Sequence, residues 1–372
     1  MQNDLLEKKH ALTRLFFLPF TLIYGFIIGV RNLLFDLNIL EEKEFSLPLI
    51  SVGNITVGGT GKTPHIEYLI NILKDKFNVA VLSRGYKRTT KNFLLVSNRS
   101  TYKEVGDEPC QIQKKYPDIK VAVDRKRVNG VKNLINTFKN LDVILLDDAF
   151  QHRYVKPGLS ILLVDYSHPL KNDLILPAGR LRERSIGRKR AHIIIVTKCP
   201  SDIKPVEKER LKKELVLFTS QGIFFTTINY ADLSPVFNKN EQKLSCDYCK
   251  KEKYNLLLVT GIANPQPLKN YLQYYFNNIS EIRFPDHHAF NEKDIKKITG
   301  DFEKLPGKNK IILTTEKDAI RMQKFSNIAG SFTKLIFFIP ILVEFPGNQR
   351  VEFNRLIQCY VRENKRDNIL LT

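Results

Sequence analysis

Residues 47–64 read LPLISVGNITVGGTGKTP. The opening run, LPLISVGN, is a short apolar β-rich stretch of the kind buried on both faces of a parallel sheet. Thr56, Val57, Gly58, Gly59, Thr60, Gly61, Lys62 and Thr63 follow, and a helical stretch comes after them. Strand, glycine loop and helix in this order make a phosphate-binding loop. Glycines let backbone N–H groups converge on phosphate oxygens, Lys62 reaches the β and γ phosphates and acts in catalysis, and Thr63 ligates Mg²⁺. The strict pattern has glycine five positions before Gly61, where Thr56 stands, so the loop is a variant.

Outward from this loop, apolar runs alternate with helical stretches at 78–86, 142–148, 159–166 and 192–198. That alternation predicts an α/β fold built on a parallel sheet. A change of character over 200–253, including the polar loop 238–254, precedes a second series at 255–262, 309–315 and 334–345. The expected organisation is an N-terminal apolar segment (1–40), a P-loop core (41–225), a smaller α/β domain (226–345) and a C-terminal helix (346–372) that packs back on the core.

In VILLDD (143–148), four apolar residues carry Asp147 and Asp148 to the carboxyl end of a strand, where ligands of open α/β sheets bind. One of these aspartates is expected to hold Mg²⁺ beside the P-loop. In HIIIVTKCP, Cys199 takes the place of the aspartate that reads guanine in GTPases, which favours ATP.

The composition fits a globular protein: 372 residues, 43% hydrophobic and 26% charged. Lys and Arg number 59 against 39 Asp and Glu, a net charge of +20 that calls for an acidic partner. Five scattered cysteines fit a reduced compartment, and the CxxC of Cys246 and Cys249, in a Lys-rich loop, reads as two solvent-facing thiols with no assigned role.

Residues 15–30, LFFLPFTLIYGFIIGV, carry no charge and lie between Arg14 and Arg31, with Lys8, Lys9 and His10 upstream. As a helix this run extends ~24 Å, short of a ~30 Å hydrocarbon core, and Pro19, Gly25 and Gly29 weaken it. The following VRNLLFDL offers no small-x-small cleavage site. The expected state is a helix or helix pair in the membrane interface, its cations against anionic headgroups.

With the P-loop stand SRGYKR (83–88), GDEP (106–109), LDDAFQHR (146–153), LILPAGRLRE (174–183), TGIANP (260–265), FPDHHAF (284–290) and TTEKDAIR (314–321). In this combination and order the chain resembles the tetraacyldisaccharide 4′-kinase family. The resemblance implies ATP-dependent phosphorylation of the 4′-hydroxyl of a tetraacylated disaccharide 1-phosphate, giving lipid IVA, at the cytoplasmic face of a bacterial inner membrane. It implies a dyad of Asp107 as base with His287 as its partner, although His288 is adjacent. Glu108 is placed in the magnesium shell. Gln151, His152, Arg153, Arg180 and Arg182 are acceptor-site candidates, since Arg forks suit phosphate oxygens. In TTEKDAIR, Glu316 and Asp318 read as helix-capping charges. A monomer is expected.

Two other classes compete. A MinD-like regulatory ATPase also joins a GGxGKT loop to a membrane helix, but it carries Lys where Val57 stands, and it leaves GDEP and FPDHHAF unexplained. A nucleic-acid binder is favoured by charge alone; no helix-turn-helix, RRM or zinc-knuckle pattern is present, so no nucleic-acid partner is expected.

Overall fold

The computed structural model describes residues 2–367 apart from 172 and 239–241, with side chains from residue 16 to residue 364. The side chains of the cations Lys8, Lys9, His10 and Arg14, part of the 238–254 loop and the last five residues therefore lie outside what is described.

Eight strands form the larger sheet: β1 Leu49–Gly53, β2 Val79–Ser83, β3 Leu94–Leu95, β4 Lys120–Val123, β5 Val143–Asp147, β6 Leu159–Asp165, β7 Ile193–Thr197 and β8 Gly222–Phe225. Their order is β3-β4-β2-β5-β1-β6-β7-β8, parallel except for the β3–β4 pair. Strands β1, β2, β5, β6 and β7 are buried along their whole length, which explains why they read as near-continuous Leu, Ile and Val. The phosphate-loop strand β1 lies directly between β5 and β6, and Val52 is in register with Asp147. One register position therefore puts both candidate motifs at the same sheet edge.

The apolar stretch 222–230 bends at Thr226. Its first half, β8, closes the large sheet, and its second half, β9 (Thr227–Tyr230), pairs with β15 (Ile341–Glu344). The second sheet is β10 (Ser234–Pro235), β14 (Ile336–Ile339), β13 (Lys310–Thr315), β11 (Asn255–Thr260) and β12 (Ile279–Arg283), in that spatial order. The run 334–345, expected as one strand, is split at Pro340, which has no N–H to continue a ladder.

Cys246 and Cys249 correct the expectation of exposed thiols: they are 7% and 0% exposed. Both sit on a short helix, Cys246–Lys251, capped by Ser245, whose apolar side packs among Leu256, Leu268 and Leu272, while Lys250 and Lys251 take the solvent side. Spacing alone does not say which side of a short helix faces the sheet.

The N-terminal segment is one continuous helix, α1 (Gln2–Asp36), with Pro19 inside it. Within the apolar part, Phe16–Asp36, an 18-residue stretch has a mean hydropathy of 1.6, and 6% of its residues are buried. The 21 residues of the apolar part reach ~32 Å, long enough to cross a membrane by length and composition. One side is fastened to the loop 174–183. Thr21 accepts from the Ala178 N–H at 3.0 Å, Tyr24 donates to the Arg182 carbonyl at 3.1 Å and Asn32 donates to Glu183 at 3.1 Å. The C-terminal helix Gln349–Asp367 packs Phe353, Ile357 and Val361 into the core of the large sheet, and Gln358 donates to the Ile72 carbonyl.

Candidate active site

The phosphate loop leaves β1 and enters helix α2 (Lys62–Leu73) through Gly61, whose φ of 88° is left-handed; Gly58 is left-handed as well, at 107°. These two glycines supply conformations that side-chain-bearing residues rarely adopt. Asn54 braces the turn, donating to Thr60 Oγ1 at 2.9 Å and accepting from Lys62 Nζ at 3.4 Å. The Thr60 carbonyl accepts from Thr197 Oγ1 at the end of β7. Val57 is fixed by its N–H to the Arg180 carbonyl at 2.8 Å, and Thr56 bridges to Leu181, so the loop 174–183 lies against the phosphate loop. His65 bonds the Gly61 carbonyl and Thr226 Oγ1; burial pushes its imidazole down to about 4, and it holds the helix entry as a neutral group.

At the end of β5, Asp147 is buried; its Oδ2 accepts from Ser83 Oγ at 2.9 Å, whereas its Oδ1 is buried with no hydrogen-bond partner. Burial, then the neighbouring carboxylates of Glu108 and Asp148, push this carboxyl above the ordinary range. An orphaned, electrostatically crowded carboxylate oxygen, with Glu108 and Thr63 beside it, is a donor set that suits a hard divalent cation. Asp148, with a left-handed φ of 46°, instead faces Lys62 Nζ at 3.6 Å and accepts from Arg182 at 3.2 Å.

The helix Asp107–Lys115 starts directly after Gly106 and presents Asp107 and Glu108 toward the second sheet. His287 Nδ1 lies 2.9 Å from Asp107 Oδ2, while His288 turns away to Asp294 at 2.8 Å, so geometry distinguishes the two imidazoles. His287 has a left-handed φ of 60°, held by its N–H to the Gly261 carbonyl of TGIANP. Burial works to raise Asp107, but hydrogen bonds from His287 and Arg321 and the charge of Arg321 leave it below the usual carboxylate range.

In TTEKDAIR the cap is Thr315, which accepts from the Asp318 N–H, whereas the two charges read as capping are used elsewhere as well: Glu316 pairs with Lys115, and Asp318 accepts from the Gly261 N–H and from Arg321. The motif also places Arg321 and Lys317 at the site. Arg321 donates to Asp107 Oδ2 through Nε at 3.0 Å and Nη2 at 2.7 Å, and Lys317 donates to Glu108 at 2.5 Å. Their four-residue spacing on one helix face was the available signal.

The acceptor candidates divide. Gln151 donates to the Asn54 carbonyl and Glu183, and Arg182 sits over Asp148, both at the phosphate-loop edge. His152 is held neutral, down to about 4, by burial and the nearby cations Arg127, Arg31 and Arg84. Arg180 brings its guanidinium close to Gly58. Arg153, 9% exposed, is spent on α1: it pairs with Asp36 at 2.7 Å and Glu42 at 2.6 Å and lies over Phe35. In the basic run that follows, Arg188 donates to the Leu215 and Ser185 carbonyls, and Arg190 to Glu183.

Residues 13–359 match the model of the family tetraacyldisaccharide-1-P 4′-kinase. A tetraacyldisaccharide 4′-kinase of Bacteroides thetaiotaomicron is 46% identical over 359 residues, covering 94% of this chain and 93% of its own. Its counterpart in Flavobacterium psychrophilum is 43% identical over 352 residues, covering 93% and 96%. The crystal structure of LpxK from Aquifex aeolicus in complex with ATP superposes with a TM-score of 0.72 at 28% identity, over 94% of this chain and 99% of that one. These matches leave the MinD-like alternative without support. The chain belongs to the tetraacyldisaccharide-1-P 4′-kinase family.

Proposed function

We propose that this kinase transfers the γ-phosphoryl group of ATP to the 4′-hydroxyl of a tetraacyldisaccharide 1-phosphate, giving lipid IVA. The carrying observation, beside family membership, is the 2.9 Å contact of Asp107 with His287 next to a phosphate loop. The relatives' names supply the acceptor, and the ATP in the Aquifex structure supplies the donor.

In this reading Asp107 takes the proton of the 4′-hydroxyl as its oxygen bonds to the γ phosphorus. The bond from the γ phosphorus to the β–γ bridging oxygen breaks, and ADP leaves. Lys62 and the loop N–H groups hold the β and γ oxygens. Mg²⁺, held by Asp147 and Thr63 with Glu108 nearby, would neutralise charge on those oxygens. His287 holds the carboxylate of Asp107, and Gln151, His152, Arg180 and Arg182 line the acceptor side.

The enzyme works at the cytoplasmic face of the inner membrane, where ATP and lipid acceptor meet. Phe16, Phe20, Leu22, Ile23, Phe26 and Ile27 of α1 are between 55% and 72% exposed. Each such side chain gains about 1.5–3 kcal/mol on full burial, so lipid is the favoured surrounding for that face. The sheets move as two domains that close over the substrates, since Asp107 and His287 come from either side.

Transfer of ³²P from γ-labelled ATP to detergent-dispersed tetraacyldisaccharide 1-phosphate, with a no-acceptor control, tests this. Labelled lipid is expected; ATP hydrolysis with unlabelled lipid would overturn it.

A further inference from the structure

Four sequence motifs close a hydrogen-bonded ring behind the candidate base. The Gly261 N–H donates to Asp318 Oδ2 at 2.9 Å. Asp318 Oδ1 accepts from Arg321 Nη1 at 3.0 Å, and Arg321 reaches Asp107 Oδ2 through its other two nitrogens. Asp107 Oδ2 meets His287, whose own N–H returns to the Gly261 carbonyl at 3.2 Å. Arg321 is 1% exposed and Asp318 0%. A Cβ on Gly261 would come within 2.9 Å of Asp318 Oδ1, so the ring leaves no room for a side chain there.

All these contacts on Asp107 fall on one oxygen. Oδ1 takes no donor among the described residues. A carboxylate turns easily about its last bond, and two guanidinium bonds plus an imidazole on Oδ2 stop that rotation. Arginine suits the task because its fork presents several fixed donors and it never loses its proton. Asp318 in turn stops the fork from rotating.

We infer that Arg321, oriented by Asp318, is a positioning residue of the phosphoryl transfer, pinning Asp107 Oδ2 so that Oδ1 faces the acceptor hydroxyl. This rests on Asp107 being the base. The effect of Arg321 belongs to the chemical step, and nucleotide binding is left alone.

The test is full-length enzyme carrying Arg321→Ala, Arg321→Lys, Asp318→Asn or Asp107→Asn, with turnover, KM for ATP, binding of a fluorescent ATP analogue and thermal melting measured. A misplaced general base forfeits on the order of 10²-fold, so Arg321→Ala is expected to lose about that in kcat with KM for ATP within about twofold. Added methylguanidine restores part of that loss in Arg321→Ala and none in Asp107→Asn. Lysine has one nitrogen and cannot hold Asp318 while making the two bonds to Asp107 Oδ2, so Arg321→Lys, which keeps the charge, loses roughly tenfold. Asp318→Asn also lowers kcat. Wild-type kcat in Arg321→Lys overturns the inference, even if Arg321→Ala does not fold. A folded Arg321→Ala that methylguanidine does not rescue overturns it too. If Asp107→Asn is inactive while the Arg321 variants turn over normally, only this inference fails; if Asp107→Asn turns over normally, the base assignment itself fails.

Discussion

Asp107 and His287, 180 positions apart, meet at 2.9 Å, one at the start of the helix that begins inside GDEP and the other in a left-handed loop held by Gly261. Neither residue belongs to the phosphate loop of residues 56–63. With Asp107 as the proposed base, Asp107→Ala removes proton handling and spares the nucleotide cradle. Turnover is expected to fall by roughly 10²–10⁴-fold with ATP affinity nearly unchanged. Steady-state kinetics with a separate ATP titration checks it, and normal turnover would sink the assigned role.

Lys62 opens α2 with its ammonium directed at Asn54 and Asp148, poised between the loop and the strand end. Lys62→Ala is expected to weaken ATP binding and turnover together, in contrast to Asp107→Ala. Calorimetric titration of ATP distinguishes the two patterns.

The exposed apolar face of α1 predicts how the protein partitions. Phe20→Asp combined with Phe26→Asp puts two charges among side chains that are 55% and 72% exposed in the parent, so the fold is expected to survive. Flotation with anionic vesicles should drop strongly while the melting temperature stays within a few degrees. Undiminished flotation would place membrane contact elsewhere.

His152 is held neutral by burial and by Arg127, Arg31 and Arg84, at about 4 against an ordinary 6.5. Its folded value lies below the unfolded one, so the unfolded chain binds the extra proton between these limits. Stability contributed by the neutral imidazole is complete above pH 6.5 and is lost as pH falls toward 4. Denaturant unfolding across that window should show a steeper acid loss for the parent than for His152→Gln. Equal slopes would show that His152 does not carry the effect.

The sequence by itself determined the α/β class, the phosphate loop and its neighbouring aspartates, because buried parallel strands must be continuously apolar and a phosphate cradle must have glycines at fixed spacing. It also named Asp107 and His287 through a resemblance, and marked residues 15–30 as needing an apolar surrounding. Local pattern was enough wherever the cause was local. The tertiary structure decided what depends on distant partners: His287 over His288 at Asp107, the burial of Cys246 and Cys249, and the breaking of 334–345 at Pro340. It spent Arg153 on anchoring α1 and made TTEKDAIR, which caps its helix through Thr315, also the source of Arg321. A charge on a short helix looks the same in sequence whether it serves that helix or reaches across to another one. Only the packing of helix Glu316–Met322 against helix Asp107–Lys115 separates these roles, since side-chain partners follow from which faces meet in space.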